Sequence, residues 1–92
     1  MLLLTHAEID AALETLAGWT CDGTSIVKVF TFPGPPDAVA FAGRLVTRAE
    51  AVAHHPDVVV NDRGVTVMWT THDAGGVTEK DVAGAWMTDR CV

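Results

Sequence analysis

Hydrophobic and polar positions along the chain change period several times, and each change marks an element. Thr5-His6-Ala7-Glu8 sets a hydroxyl and a carboxylate three residues apart, a capping box that opens a helix. Ile9, Leu13 and Leu16 continue it on one face until Gly18 stops it. Trp19-Thr20-Cys21 reads as a short strand, Asp22-Gly23 as a hairpin turn, and Ser25 to Phe32 as a longer strand rich in β-branched and aromatic residues. Ile26, Lys28, Phe30 and Phe32 share one side of that strand, with Val27, Val29 and Thr31 on the other. Both sides are largely apolar, which predicts a central strand in a covered sheet.

Pro33-Gly34-Pro35-Pro36 then breaks the chain, and Pro is well tolerated in a first helical turn. Ala38, Phe41, Ala42, Leu45, Val46, Ala49, Val52 and Ala53 follow helical spacing, while Arg44, Arg48 and Glu50 fall elsewhere on the wheel. This helix is expected to end around His54-His55, because Pro56 disfavours helical geometry at the residue before it. Asp57 to Asn61 and Val65 to Thr71 read as a second hairpin, closed by Asn61-Asp62-Arg63-Gly64. A glycine-rich loop, His72-Asp73-Ala74-Gly75-Gly76, leads to Thr78, whose spacing to Asp81 repeats the capping pattern. Val82, Ala85 and Trp86 carry a last helix to about Asp89. The order α-β-β-α-β-β-α predicts an α+β fold, one domain over residues 1–92 with a four-stranded antiparallel sheet and helices packed on one face. The opposite face has no evident cover in the chain.

Composition sharpens this picture at a few points. With 92 residues, 49% of them hydrophobic, the chain has more apolar side chains than a small interior holds, since a domain of this size buries only roughly 60–65% of its unfolded surface. The surplus predicts a homo-oligomer. A net charge of -6 with six scattered basic residues argues against nucleic-acid and anionic-membrane partners. Met1-Leu2-Leu3-Leu4 is too short for a signal peptide, and no stretch reaches transmembrane length. Cys21 and Cys91 read as free thiols in a reducing, cytoplasmic compartment.

Candidate chemistry gathers in the second half. The hairpin is expected to bring Pro56 and Thr71 together, and with them His54-His55 and His72 at one sheet edge. A helix C-terminus favours a protonated imidazole, suited to a general acid, and a histidine cluster can both give and take protons near neutrality. An adjacent histidine pair is also a common polar C-cap. A zinc site using the three histidines with Asp57 or Asp73 is a further reading, although no His-x-x-x-His pair supports it. Asp81 reads both as a capping residue and as a carboxylate orienting His72. Glu50, one turn before His54, is placed to pair with that imidazole or to remain a solvated charge. His6 reads as surface, and Trp69 as sheet packing.

Glu50-Ala51-Val52-Ala53-His54-His55-Pro56-Asp57 and Thr70-Thr71-His72-Asp73-Ala74-Gly75-Gly76-Val77-Thr78-Glu79-Lys80-Asp81 together resemble the signature of the pterin-4a-carbinolamine dehydratases. Leu16-Ala17-Gly18-Trp19 and Phe30-Thr31-Phe32 extend the resemblance over nearly the whole chain. It implies dehydration of a 4a-hydroxytetrahydropterin to the quinonoid dihydropterin, with no cofactor and no metal. By the same resemblance His54 and His72 are the acid/base pair, His55 positions the pterin ring, and Asp81 supports the site. Glu50, His55, Pro56, Thr71 and Asp73 are expected to surround the substrate. Family members form dimers that join two sheets, and tetramers, and some serve as dimerisation partners or assembly chaperones. Where the family commonly has an aromatic-Asn pair in the second hairpin, this chain has Asp62-Arg63.

Overall fold

A computed structural model of the protein describes residues 2–62 and 64–92. Chain order runs α1 (His6–Leu13), β1 (Thr20–Cys21), β2 (Ile26–Thr31), α2 (Pro35–Val52), β3 (Asp57–Val60), β4 (Gly64–Trp69), a short 3-10 turn (His72–Ala74) and α3 (Glu79–Asp89). This is the α+β arrangement expected, with four antiparallel strands in the order β1-β2-β4-β3. Both hairpins form, and β2 pairs with β4 through the middle of the sheet. The chain therefore crosses from β2 to the far edge strand β3, and α2 supplies that crossing. The 3-10 turn lies in the segment read as a glycine-rich loop. Arg63, which follows β3 and precedes β4 in the sequence, lies outside the described residues, so the Asp62-Arg63 departure has no structural account.

Both capping boxes are present. The Thr5 hydroxyl accepts from the Glu8 amide at 3.1 Å while Glu8 accepts from the Thr5 amide at 2.8 Å. In α3 the Thr78 amide donates to Asp81 Oδ2 at 2.9 Å. Such caps satisfy amides that the first helical turn would otherwise leave unpaired.

The core lies between the sheet and the helices. Ile26 and Phe30 of β2 and Val65, Val67 and Trp69 of β4 point into it, and Ala38, Phe41, Leu45 and Ala49 of α2 meet them. Phe41 packs against Phe30 and Phe32 with ring centroids at 4.8 and 5.2 Å. Burying a side chain of this size contributes about 2–3 kcal/mol. Lys28 also faces inward, where its ammonium donates to Asp89 Oδ1 at 3.0 Å and sits 4.7 Å from the Phe30 ring centre. The Trp19 indole donates to the same Asp89 carboxylate, so the inward-facing ammonium meets a counter-charge that is itself held in place.

Two expectations are corrected here. The periodic stripe of α2 is wider than its buried face: Val46 and Val52 are 50% and 58% exposed. β2 is interior to the sheet, yet only one of its faces is covered. Val29 of β2 and Val59 of β3 share the outer face and are 59% and 60% exposed.

Candidate active site

The site begins where α2 stops. The helix ends at Val52, two residues before the expected His54-His55, because Ala53 turns into the left-handed region at φ 54°, ψ 33°. For a residue with a Cβ this conformation costs about 1–2 kcal/mol. Pro56 withholds helical geometry from His55, and the reversal at Ala53 turns the chain off the helix axis before the histidines. His54 then lies against the protein, its side chain 15% exposed, while that of His55 is 53% exposed.

The second hairpin delivers the other half. Asp57 pairs with Met68 in the register between β3 and β4. Continuing that ladder brings the segment before β3 beside the residues after β4, Thr70 and Thr71. A bridge between Thr71 and Gly76 then pinches off the 3-10 turn that carries His72 and Asp73. Gly75 closes the turn at φ 80°, a conformation open to glycine without steric cost.

Hydrogen bonding differs from the expected partners in two ways. Glu50 pairs with His55, not His54: the His55 Nε2–H donates to Glu50 Oε2 at 2.7 Å. Asp81 pairs with His54, not His72: the His54 Nε2–H donates to Asp81 Oδ1 at 2.7 Å. The physical reason for both is the turn at Ala53, which swings His54 inward over α3 and leaves His55 near the last helical turn. Asp81 is completely buried, and its Oδ2 accepts from the Thr71 hydroxyl at 2.8 Å and the Thr78 amide at 2.9 Å. The carboxylate thus has three donors, as a buried acceptor of this strength requires. On its other side the His54 ring packs on Trp69, centroids 5.3 Å apart. Trp69 is itself fixed by its indole N–H, which donates to Thr88 Oγ1 at 2.9 Å.

These elements enclose an open basin of about 340 Å³, lined by Ala53, His54, His55, Thr70, Thr71, His72, Asp73 and Lys80. Such a volume is at the lower end of those that hold small ligands. The basin brings together His54, His55, His72, Thr71 and Asp73. Glu50, Pro56 and Asp81 do not line it: Glu50 stands behind His55 and Asp81 behind His54. Asp57 belongs to the sheet ladder instead. Among the described residues no three His, Cys, Asp or Glu side chains are placed to hold a metal ion. On the far side of His54 lies a cleft of about 260 Å³, walled by Val52, Trp69, Ala83, Gly84 and Met87, with Lys80 at the boundary of both. Lys80 and Trp69 are not legible as site residues in the sequence. Lys80 stands in a first helical turn, where solvated charge is ordinary, and Trp69 reads as core, which it also is. Chemically the basin offers an imidazole backed by a carboxylate, two exposed imidazoles, an ammonium and hydroxyls, a set able to move protons at a bound ring.

The sequence profile of the pterin 4 alpha carbinolamine dehydratase family matches residues 2–91. The chain belongs to that family. It is 44% identical over 90 residues to a protein of Roseiflexus castenholzii provisionally named a pterin-4-alpha-carbinolamine dehydratase, spanning 98% of this chain and 97% of that one. A protein of the same provisional name from Mycobacteroides abscessus is 43% identical over 89 residues, 97% of this chain and 95% of that one. Among solved structures, a transcriptional coactivator/pterin dehydratase from Brucella melitensis superposes with a TM-score of 0.91 at 33% identity, covering 97% of each chain. A pterin dehydratase-like protein described as a RuBisCO assembly factor in the alpha-carboxysome shares the fold, with a TM-score of 0.69 at 21% identity over 80% of this chain and 88% of that one. No helix of the described residues is long and apolar enough to cross a membrane.

Proposed function

We propose that the protein is a pterin-4a-carbinolamine dehydratase, a hydro-lyase acting on a 4a-hydroxytetrahydropterin by histidine acid/base chemistry. The observation that carries this reading is the convergence of His54, His55 and His72 on one basin, with a buried carboxylate behind His54. In the elimination the C4a–O bond breaks, the hydroxyl leaves as water after accepting a proton, and N5 loses its proton as the C4a=N5 double bond forms. One group must give a proton and another must take one, and these roles fall to His54 and His72, both of which line the basin. His55, held by Glu50, positions the ring, with Pro56, Thr71 and Asp73 completing the surround. The reaction draws on no cofactor, and the protein works in the cytoplasm. Stopped-flow measurement of 4a-hydroxytetrahydropterin dehydration is expected to show saturable acceleration over the spontaneous reaction. His54→Ala and His72→Ala should each lose about 100-fold or more of that acceleration. Wild-type protein giving only the uncatalysed rate refutes the reading.

A second reading is favoured by the uncovered sheet face and the exposed valines of α2. An oligomeric interaction or assembly module would use such surfaces, and in either case the protein is a homodimer or homotetramer. Sedimentation across a dilution series should show a stable oligomer, and a persistent monomer at micromolar concentration contradicts it. An oligomer with no dehydratase activity selects the second reading over the first.

A further inference from the structure

The nitrogen with which His54 works follows from the bonds behind it. Asp81 has only acceptors to offer, so the His54 nitrogen facing it, Nε2, carries hydrogen. The Asp81 oxygens are also held from behind. Oδ2 takes the Thr78 amide at 2.9 Å and the Thr71 hydroxyl at 2.8 Å. Thr71 has one hydroxyl hydrogen, and it is spent on the carboxylate. In the 2.8 Å contact between the Thr71 and Thr78 hydroxyls, Thr78 is therefore the donor. Thr78 Oγ1 in turn accepts from the Lys80 amide at 3.3 Å. Donation runs one way from the α3 backbone through Thr78 and Thr71 onto Asp81, and the imidazole N–H meets the same carboxylate from the other side.

We infer that His54 exchanges its proton through Nδ1, and that Thr71 is a positioning residue that fixes this tautomer through Asp81. This rests on the dehydratase reading, and it revises the place of Thr71 within it. The Thr71 side chain borders the basin, but its hydroxyl hydrogen is already committed and cannot be donated to a substrate. Asp81 is likewise a positioning residue, shielded from the basin by the ring it holds. The Trp69 indole on one ring face and the carboxylate at one edge leave Nδ1 as the nitrogen not already used.

Histidine 15N chemical shifts, recorded at a pH where the rings are neutral, test this together with turnover. Wild-type His54 is expected to show the Nε2–H tautomer. In D81N the carboxamide oxygen serves the two donors at Thr71 and Thr78, which turns its NH2 toward His54 and forces the Nδ1–H tautomer, with a loss in kcat. T71V keeps the branched shape but removes the hydroxyl; its His54 shifts should move toward tautomer averaging, and kcat should fall about 10- to 100-fold, the rate equivalent of one hydrogen bond to a charged group. T71S restores the hydroxyl and should restore both the shifts and most of the rate, which a merely packing role for Thr71 would not require. A wild-type Nδ1–H tautomer, or T71V unchanged in both shifts and kcat, overturns the inference. Wild-type protein without dehydratase activity overturns the functional reading instead, and the 15N shifts then still decide the tautomer and the role of Thr71 in holding it.

Discussion

Gly84 lies in the middle of α3, where replacement by Ala would ordinarily help, since Ala is favoured over Gly in a helix interior by about 1 kcal/mol. The structure predicts the opposite sign. A Cβ at this position would fall 2.5, 2.6 and 2.7 Å from Cδ2, Cε2 and Cε3 of Trp69. Ordinary carbon–carbon contact needs roughly 1 Å more. The indole is completely buried and has no solvent into which to retreat. Its N–H is bound at 2.9 Å to the Thr88 hydroxyl, which donates to the Gly84 carbonyl at 2.7 Å. Moving the ring away from Gly84 therefore pulls it off an acceptor on the same helix face. Overpacking of this kind costs about 1–3 kcal/mol. A stretched buried hydrogen bond adds about 1 kcal/mol. Set against the helix gain, Gly84→Ala should destabilise by about 1–3 kcal/mol, a fall in Tm on the order of 5–20 °C for a domain of this length. Thermal unfolding followed by circular dichroism measures it. Because the Trp69 ring supports His54, the proposed dehydratase turnover should fall in the protein that remains folded. A Gly84→Ala variant as stable as wild type, or more so, would refute the packing argument and show that α3 shifts freely against the sheet.

Two other substitutions probe the ends of the same elements. Ala53→Gly relieves the left-handed strain of about 1–2 kcal/mol at the cost of a more flexible unfolded chain, so denaturant unfolding should show a net gain of about 0.5–1 kcal/mol; a loss would mean that Ala53 is not strained. At the other end of the chain, burial pushes the Cys91 thiol up, against the pull of Arg48 and Arg44. The raised folded-state pKa means a contribution that is fully present below the unfolded thiol's pKa and lost as pH rises through the folded one. Wild-type stability should therefore decline above about pH 8.5. Cys91→Ala should flatten that decline in denaturant midpoints measured across alkaline pH, and an equally steep decline in the variant would assign it to other groups. With thiol reagents at neutral pH, half-buried Cys21 should label well before buried Cys91.

What can be read from the sequence divides along the range of the interactions. The capping boxes at Thr5 and Thr78 are set by residues three apart and both form, and the α2 pattern contains every residue that the helix buries, Ala38, Phe41, Leu45 and Ala49. The limits of α2 are less legible. Pro56 announces that the helix must stop, but the stop is made by Ala53 in a conformation where glycine or asparagine is the usual signal. That one residue decides which histidine turns inward, and without it both carboxylates pair with the wrong ring. The stripe of α2 reads too wide for a similar reason: helical periodicity names the residues that share a side, and only the neighbouring elements decide how much of that side is covered.

Asp81 shows where more can be drawn from the same pattern. A capping carboxylate on an exposed helix needs only its local amide, because water completes the rest. Thr78 and Asp81 lie between a strand end and a helix whose apolar positions mark it as packed, which predicts burial of the cap. A buried carboxylate has two oxygens, and the cap amide at Thr78 uses only one of them. The other must find a donor from elsewhere in the chain or remain at a cost of about 1–3 kcal/mol. His54, 27 residues away, is that donor. A capping acid that must be buried thus predicts a distant polar partner, and when histidines converge on the same sheet edge, the partner to seek is an imidazole.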